Sequence, residues 1–326
     1  MAKLNVLVTG IGAIIGYGIL NSLRMTDRKL NIIGMDIYAD AVGRHFCDSF
    51  VHAKRADDLG YIDFLVDTIK HHHIDLVFFG TEQELYKASD SRLLLAEYMN
   101  RLVMNRRDVI DLSKDKLKTH LFLCQQNIET IPTHVGRTFK DLSQDLGLPF
   151  IIKLRQSYAS KGVFRIDDEQ DFNYFTRKAF GDYIAQALVG DDNQEYTAAV
   201  FGLGTEKVLP PFILRRRLSA EGATSKAVVE HIPDLRDTIT HLACLLRPVG
   251  PTNFQFRRHN GKYLLLEINP RISSSTSIRA AFGYNEAEMC IRYFYDKGDI
   301  SNPSMRTGTA IRYISDWITY ENCSDL

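Results

Sequence analysis

Charge of one sign is what this sequence most plainly lacks. Over 326 residues, 40 Lys and Arg offset 40 Asp and Glu, giving a formal net charge of zero. Surfaces that grip nucleic acid or an anionic membrane carry a basic excess, so neither is expected as a partner. Cysteine is sparse as well. Cys47, Cys124, Cys244, Cys290 and Cys323 are scattered, odd in number and form no CxxC. That excludes a disulfide scaffold and points to reduced thiols in a cytoplasmic protein. Internal repeats and low-complexity linkers are also missing, so the units of the chain are expected to pack against one another. With 45% hydrophobic and 25% charged residues, the composition excludes disordered and collagen-like classes. At roughly 100–200 residues per domain, the length suggests two or three.

Long apolar runs are absent with one exception. Residues 4–23, LNVLVTGIGAIIGYGILNSL, contain no charge and imitate a signal peptide or a membrane span. Four glycines, two asparagines, Thr9 and Ser22 argue against both. LNVLV reads as a short buried strand, and Ile15, Ile19 and Leu23 form one helical stripe after it. Strand, glycine turn and helix is the reading, and no membrane span is expected.

What is present is alternation. Over the first 110 residues, strand patterns at 5–8, 31–35 and 76–79 alternate with helical patterns near 14–25, 61–71 and 84–99. Such alternation implies βαβ crossovers and a parallel sheet with its ligand loops at the strand C-terminal ends. From about Asp115 the texture changes. DKLKTHLFLCQQN reads as an amphipathic helix ending at Asn127, and IETIPTHV as a connection turned by Pro132. Strands are expected at 148–154, 161–168, 182–189, 195–202 and 309–320, with a helix at 171–180. FQFRRHNGKYLLLEIN reads as a hairpin with Asn260-Gly261 at its tip.

Four groups of residues are candidates for chemistry. Gly10, Gly12 and Gly16 follow a strand, and Asp36 lies further on. Glycines before a helix favour a phosphate, yet a dinucleotide turn needs G-x-G-x-x-G and its third glycine is here Ile15. Tyr293 and Lys297 form a YxxxK pair far along the chain. A nicotinamide-dependent oxidoreductase is therefore carried as an alternative. The second group is sharper. Glu267, Asn269 and Arg271 alternate on one hairpin arm, opposite Gln255 on the other, so they are expected to share a face, with Leu264, Leu266 and Ile268 turned to the core. Oxygen ligands at that spacing suit Mg²⁺ held against phosphates, and an arginine beyond them suits a transferring phosphoryl group. A merely solvated polar face is the competing reading. Third, Lys153 ends the apolar run PFIIK beside a polar loop, where a lysine meets phosphate or snorkels to water. Fourth, a strand ending in Gln186, Ala187 and Leu188 offers polar edges to a flat base, with Glu195 beyond it for ribose hydroxyls.

Taken in order, these pieces resemble the ATP-grasp superfamily, in particular its carbamoyl-phosphate-synthase-like branch of carboxylate–amine ligases. The resemblance covers nearly the whole chain. LNVLVTGIGAIIGYGILNSL, GMDIYADAVGRHFCDSFV and IDLVFFGTEQEL look like a pre-ATP-grasp domain, and PFIIKLRQSYASKGVFRI like the phosphate-binding hairpin. LLLEINPR, followed by ISSSTSIRAAFGYNEAEMCI, looks like the metal motif and closing helix. The implied architecture is α/β plus α+β: an N-terminal parallel-sheet pre-ATP-grasp domain (residues 1–112), then a two-lobed ATP-grasp fold with a small lobe (113–188) and a large lobe (189–326).

The resemblance also implies roles. Lys116 and Lys153 would contact the ATP phosphates, and Ser160, in the loop that would close over them, joins the nucleotide-binding set. Gln186 would meet the adenine amino group, Leu188 the base edge and Glu195 the ribose. Gln255, Glu267 and Asn269 would bind Mg²⁺, with Mn²⁺ as a substitute, and Arg271 would stabilise the phosphoryl group. The sequence departs from the family pattern in carrying Gln186 where many relatives have an acid, and a single glycine in RQSYASKG. The implied reaction activates a small carboxylic acid as an acyl phosphate with release of ADP, and an amine then displaces phosphate. From the basic run Arg215, Arg216, Arg217, Arg215 is expected to join catalysis by anchoring a substrate carboxylate or phosphate, with SSSTS (273–277) nearby. An amino acid or a nucleotide-linked amino sugar would suit as substrate, and a homodimer is compatible. A non-catalytic nucleotide-binding subunit is the third alternative. His71, His72 and His73 are read as a helix end, and Trp317 as a packing residue or interface anchor.

Overall fold

A computed structural model describes residues 3–157, 162–179, 182–191, 193–220 and 222–318. The uncharged N-terminal run divides at its glycines into β1 (Leu4–Thr9), a turn and α1 (Ile14–Arg24). Gly10 takes a φ of +55°, and a Cβ on Gly16 would lie 2.1 Å from the Gly10 carbonyl oxygen, so α1 closes on the turn only with glycine at both. β2 (Leu30–Asp36), β3 (Ser49–His52), α2 (Tyr61–His71), β4 (Leu76–Phe78), α3 (Glu82–Asp90) and β5 (Leu102–Val103) follow. The strands form a parallel sheet of order β3-β2-β1-β4-β5. The short edge strands β3 and β5 were not expected, because neither offers a run long enough to show a period.

The helix expected at 84–99 is divided. α3 stops at Asp90, and a separate 3₁₀ turn spans Ala96–Arg101. The stripe of Leu85 and Ala88 resumes at Leu95, but the position between them is Arg92, whose guanidinium donates to the Asn105 carbonyl at 2.6 Å. A charged residue on the buried stripe thus breaks the period.

α4 (Arg107–Lys114) and α5 (Lys116–Gln125) lead to the second sheet. The Asp115 carboxylate caps α5 by accepting from the Leu117 and Lys118 amides. β6 (Thr133–His134), α6 (Phe139–Leu146), β7 (Phe150–Leu154), β8 (Val163–Ile166), α7 (Glu169–Lys178) and β9 (Tyr183–Ala187) build a small antiparallel sheet of order β6-β9-β7-β8. Its helices close over a core of Leu142, Phe150, Ile152, Ile166 and Phe172.

The third sheet is antiparallel with order β14-β13-β10-β11-β12-β15. It comprises β10 (Glu195–Leu203), β11 (Phe212–Leu218), β12 (Thr224–Val229), α8 (Pro233–Leu246), β13 (Val249–His259), β14 (Lys262–Asn269), α9 (Thr276–Ala281), α10 (Glu286–Cys290) and β15 (Thr309–Ile311). β15 is shorter than the strand expected at 309–320. After it Trp317 stacks on His45 of the N-terminal unit, with ring centroids 4.5 Å apart. The β13–β14 tip holds Asn260 and Gly261 at φ +49° and +82°, as a tight hairpin turn requires. One sheet face packs Tyr196, Ala198, Val200, Phe254 and Phe256 against Leu235, Ile239, Leu242 and Leu246 of α8. The other packs Ala199, Phe201, Phe212 and Leu214 into the same core as Val6 and Val8 of β1 and Ile19 and Leu20 of α1. Among the described residues no helix is long and apolar enough to cross a membrane.

A charged network lies inside this seam. Arg279 is 0% exposed and reaches Glu286 at 3.2 Å, Ser273 at 2.8 Å, Thr197 at 3.1 Å and Asn253 at 2.5 Å. Burial pushes the Arg279 pKa down and the Glu286 pKa up, so each charge depends on the other. Arg279→Ala leaves a buried carboxyl without its cation. It is expected to cost about 3–5 kcal/mol, visible as a large drop in the urea midpoint; a shift within error would show that the network contributes nothing.

Candidate active site

A cavity of about 340 Å³ opens where the three units meet. The β13–β14 hairpin forms one wall, and its strand pairing departs from simple alternation. Gln255 pairs with Glu267, but Phe256 pairs with Leu265, so Leu266 has no partner and forms a bulge. This corrects the expected faces. Leu265 and Ile268 enter the α8 core. Leu264 and Leu266 instead join Ile131, Val189 and Ala187 in a separate apolar cluster between the small and large lobes. Gln255, Glu267, Asn269 and Arg271 all line the cavity.

These side chains form a chain of contacts. The Asn269 amide donates to Glu267 Oε1 at 2.9 Å, and Arg271 Nη2 donates to Asn269 Oδ1 at 2.8 Å. Arg271 also pairs with Glu82 at 2.5 Å, with both side chains mostly buried. Glu82 is the first residue of α3, and sequence reasoning missed it. Nothing in GTEQEL distinguishes it from Glu84. Glu84 is instead consumed as a structural acceptor of the Thr9, Thr81 and Tyr61 hydroxyls.

Two lysines lie near these groups, and of the two Lys116 lines the cavity. Lys116 Nζ donates to the Ser157 carbonyl at 3.1 Å and hydroxyl at 3.0 Å, and burial lowers its pKa against the pull of Glu267, Glu82 and Asp115. Lys153, on β7, lies within electrostatic reach of Glu267, Lys116, Arg257 and Glu195. Burial, aided by the Lys116 and Arg257 charges, pushes its pKa down to about 8. Ser160 lies outside the described residues.

Three expected roles meet a different geometry. Arg215 points away from the cavity and pairs with Glu230 at 2.8 Å on the exposed side of β11. The strand period gives the inward position to Arg216, which is 4% exposed and lines the cavity. Glu195 is also buried. Its Oε1 accepts from Arg216 at 2.8 Å and its Oε2 from Arg257 at 3.2 Å, so both oxygens that were expected for ribose are engaged by guanidinium groups. In SSSTS, Ser273 and Ser275 are spent on Arg279 and Thr224, and Ser274 is the middle residue that lines the cavity with Ser273.

Gln186, on β9, is 7% exposed. Its amide donates to the Thr133 hydroxyl at 2.9 Å, while its Oε1 is buried without a hydrogen-bond partner. An orphaned buried acceptor costs free energy unless a ligand donor meets it. Leu188 lies two residues on, half-buried, just beyond the end of β9. The N-terminal glycine turn, by contrast, is unsuited to a pyrophosphate. The Asp36 carboxylate accepts the Gly12 N–H at 2.7 Å, placing a negative group where the anion would sit. Tyr293 is used in packing against Phe201 and donates to the Leu203 carbonyl.

The family described as ATP-grasp in the biosynthetic pathway with Ter operon matches residues 192–317. No curated protein sequence matches the chain. Solved structures do. N5-carboxyaminoimidazole synthetase from Staphylococcus aureus, complexed with ADP, is 16% identical with a TM-score of 0.72, over 96% of this chain and 83% of that one. The biotin carboxylase domain of 2-oxoglutarate carboxylase from Hydrogenobacter thermophilus, with MgADP and bicarbonate, is 13% identical with a TM-score of 0.75, over 95% and 74%. L-amino acid ligase from Bacillus licheniformis is 16% identical with a TM-score of 0.68, over 90% and 74%.

The chain has the ATP-grasp fold.

Within that fold the donor set suits a particular cation. One carboxylate, Glu267, and two amide side chains, Gln255 and Asn269, give oxygen ligands but no all-protein cage. Among the described residues there is no cluster of three His, Cys, Asp or Glu placed to hold a metal. Mg²⁺ is bound in this way when phosphate oxygens complete its shell. At about pH 9 an amine of pKa near 8 is mostly neutral, whereas exposed lysines near 10.4 remain mostly protonated. In a pH titration followed by NMR the Lys153 ammonium is therefore expected to lose its proton at about pH 8. A midpoint near the ordinary lysine value of about 10.4 would show that burial does not perturb it.

Proposed function

We propose that this protein is an ATP-dependent carboxylate–amine ligase working through an acyl phosphate. The observation that carries the reading is the line Glu267–Asn269–Arg271 beside Lys116 in one cavity, with Lys153 within electrostatic reach of Glu267 and Lys116. The nucleotide named with two of the structural neighbours, ADP, supports it. In this reading the adenine enters the apolar cluster of Ile131, Val189, Leu264 and Leu266, and its amino group donates to Gln186 Oε1. The Leu188 backbone lies at the base edge. Lys116 and Lys153 hold the phosphates as point charges. Gln255, Glu267 and Asn269 hold Mg²⁺ or Mn²⁺, which when bound offsets charge at the transferring phosphoryl group.

The acid's oxygen attacks the γ-phosphorus as the bond to the β–γ bridging oxygen breaks, releasing ADP. Arg271, kept in place by Glu82, stabilises the phosphoryl oxygens as charge builds. The amine nitrogen then attacks the acyl carbon and phosphate leaves. Water would waste the acyl phosphate, so the cleft has to be closed during reaction. Arg216 takes the inward cationic place first expected of Arg215. Its partner Glu195 sets how far it reaches, and ribose contact by Glu195 would require that pair to loosen.

Four outcomes test the proposal. ATP with Mg²⁺ at a hundredfold excess over Kd is expected to stabilise the fold by about 2–3 kcal/mol, whereas NAD⁺ and NADP⁺ give no thermal shift; the reverse result would favour the oxidoreductase. Because Lys153 titrates near 8, ATP affinity is expected to fall as pH rises through that value and the lysine loses its charge. Once the acid is found, Glu267→Gln is expected to lower turnover by about 10²–10³ with circular dichroism unchanged, and the nucleotide product is expected to be ADP. Turnover yielding AMP, or a Glu267→Gln variant of normal rate, would overturn the mechanism.

A further inference from the structure

The strand ends of the N-terminal sheet open into a second cavity, of about 890 Å³, which the proposed chemistry leaves unused. It lies outside the carboxyl ends of β1, β2 and β4. From β1 the chain runs to β2 on one side, and β4 pairs on the other. A parallel sheet places ligands at such a reversal of strand order. The two cavities adjoin, since Ala13, Thr81, Gln83 and Tyr86 line both.

Their charges are opposite. In the first cavity Lys116, Arg216 and Arg271 outnumber Glu82 and Glu267, while Lys114, which also lines it, pairs with Asp90 of the second cavity at 3.7 Å. In the second, Asp90 is so paired and burial raises the Glu84 pKa, yet Asp36, Asp40 and Asp57 still outnumber Arg55 and Lys87. Two of these carboxylates are built into the wall: Asp36 and Glu84 are 5% and 6% exposed. Asp36 accepts from the Gly12 and Tyr38 amides, and Glu84 from three hydroxyls. Asp40 and Asp57 stand at the open side. Asp40 has no ion pair among the described residues, while Asp57 is 3.0 Å from Arg55. Phosphates are attracted to the first cavity and repelled by the second, and a cation is sorted the other way.

We propose that the second cavity seats the amine acceptor and selects amines bearing an additional positive charge, such as diamines or basic amino acid derivatives. This rests on the ligase reading above. The distal ammonium stays among Asp40, Asp57 and the wall carboxylates. The reacting nitrogen, neutral, passes between Thr81, Gln83 and Tyr86 to the acyl carbon. There the N–C bond forms, the C–O bond to phosphate breaks, phosphate leaves with the electron pair, and the nitrogen's proton passes to solvent. A nucleotide-linked amino sugar, considered from the basic strand, is disfavoured because its phosphates would face this carboxylate wall and Arg215 is turned away from the site.

The test is calorimetric titration of the whole protein with 1,4-diaminobutane and, separately, glucosamine 6-phosphate, with ATP–Mg²⁺ titrated into the same preparation. Diaminobutane is expected to bind, more weakly as salt rises, and the phosphorylated amine to give no heat. Joint Asp40→Asn and Asp57→Asn substitution, at two exposed positions, is expected to weaken diaminobutane about tenfold at an unchanged melting temperature. ATP–Mg²⁺ binding without diaminobutane binding, a preference for glucosamine 6-phosphate, or an unchanged affinity in the double variant each overturns the inference. Diaminobutane binding without ATP–Mg²⁺ binding instead removes the ligase reading and keeps the cation site.

Discussion

The Glu82–Arg271 pair is the contact on which the arrangement of the site depends. Arg271 leaves the end of β14 beside the side chains proposed to hold Mg²⁺, and Glu82 begins α3 of the N-terminal unit. The pair therefore ties the sheet that would carry the phosphoryl-transfer groups to the sheet that forms the second cavity. Both side chains are mostly buried, so separating them would strand a charge in a poorly solvated seam. Apolar packing gives this seam its strength. Ala199, Phe201, Phe212 and Leu214 share one core with Val6, Val8 and Ile19. The ion pair adds direction, because it holds the guanidinium against Asn269 and so toward Glu267.

Charge is partitioned on either side of that seam. A chain with zero net charge has gathered cations from both lobes in the first cavity and carboxylates at the ends of β1, β2 and β4. Several of these groups are already committed. Glu195 is divided between Arg216 and Arg257, and Asp36 closes the glycine turn. The same compact packing that buries these pairs lowers the Lys153 pKa to about 8, since removing water destabilises an ammonium that has few anions nearby. A group poised in that way gains charge stabilisation when phosphate arrives.

Much of the framework was legible in the residues. The glycine-rich start of the chain, the Asn260-Gly261 tip and the polar alternation of Glu267, Asn269 and Arg271 each express a local rule, and each takes the expected local form. The α8 stripe of Leu235, Ile239, Leu242 and Leu246 also has helical spacing, but no helix was expected there. Other features had no local signal. The bulge at Leu266 involves no glycine or proline, only a mismatch with Phe256 across the hairpin, so the faces of Leu264 and Leu266 were assigned wrongly.

The sequence by itself determined which chemical groups are available, and their order along the chain fixed the succession of a parallel sheet and two antiparallel ones. Periodicity within one strand or helix carries that information. Tertiary structure decided which groups meet. Three consecutive arginines on β11 look alike in sequence. Strand alternation sets Arg216 apart from Arg215, and the presence of Glu195 and Arg257 on one face of the sheet, and of Glu230 on the other, supplies each with its partner. Glu82 and Glu84, two residues apart, are likewise separated by what each finds: an arginine nearly two hundred positions away, or three hydroxyls of its own unit. Partners supplied by distant parts of the chain leave no periodic trace, because their selection depends on how whole layers pack.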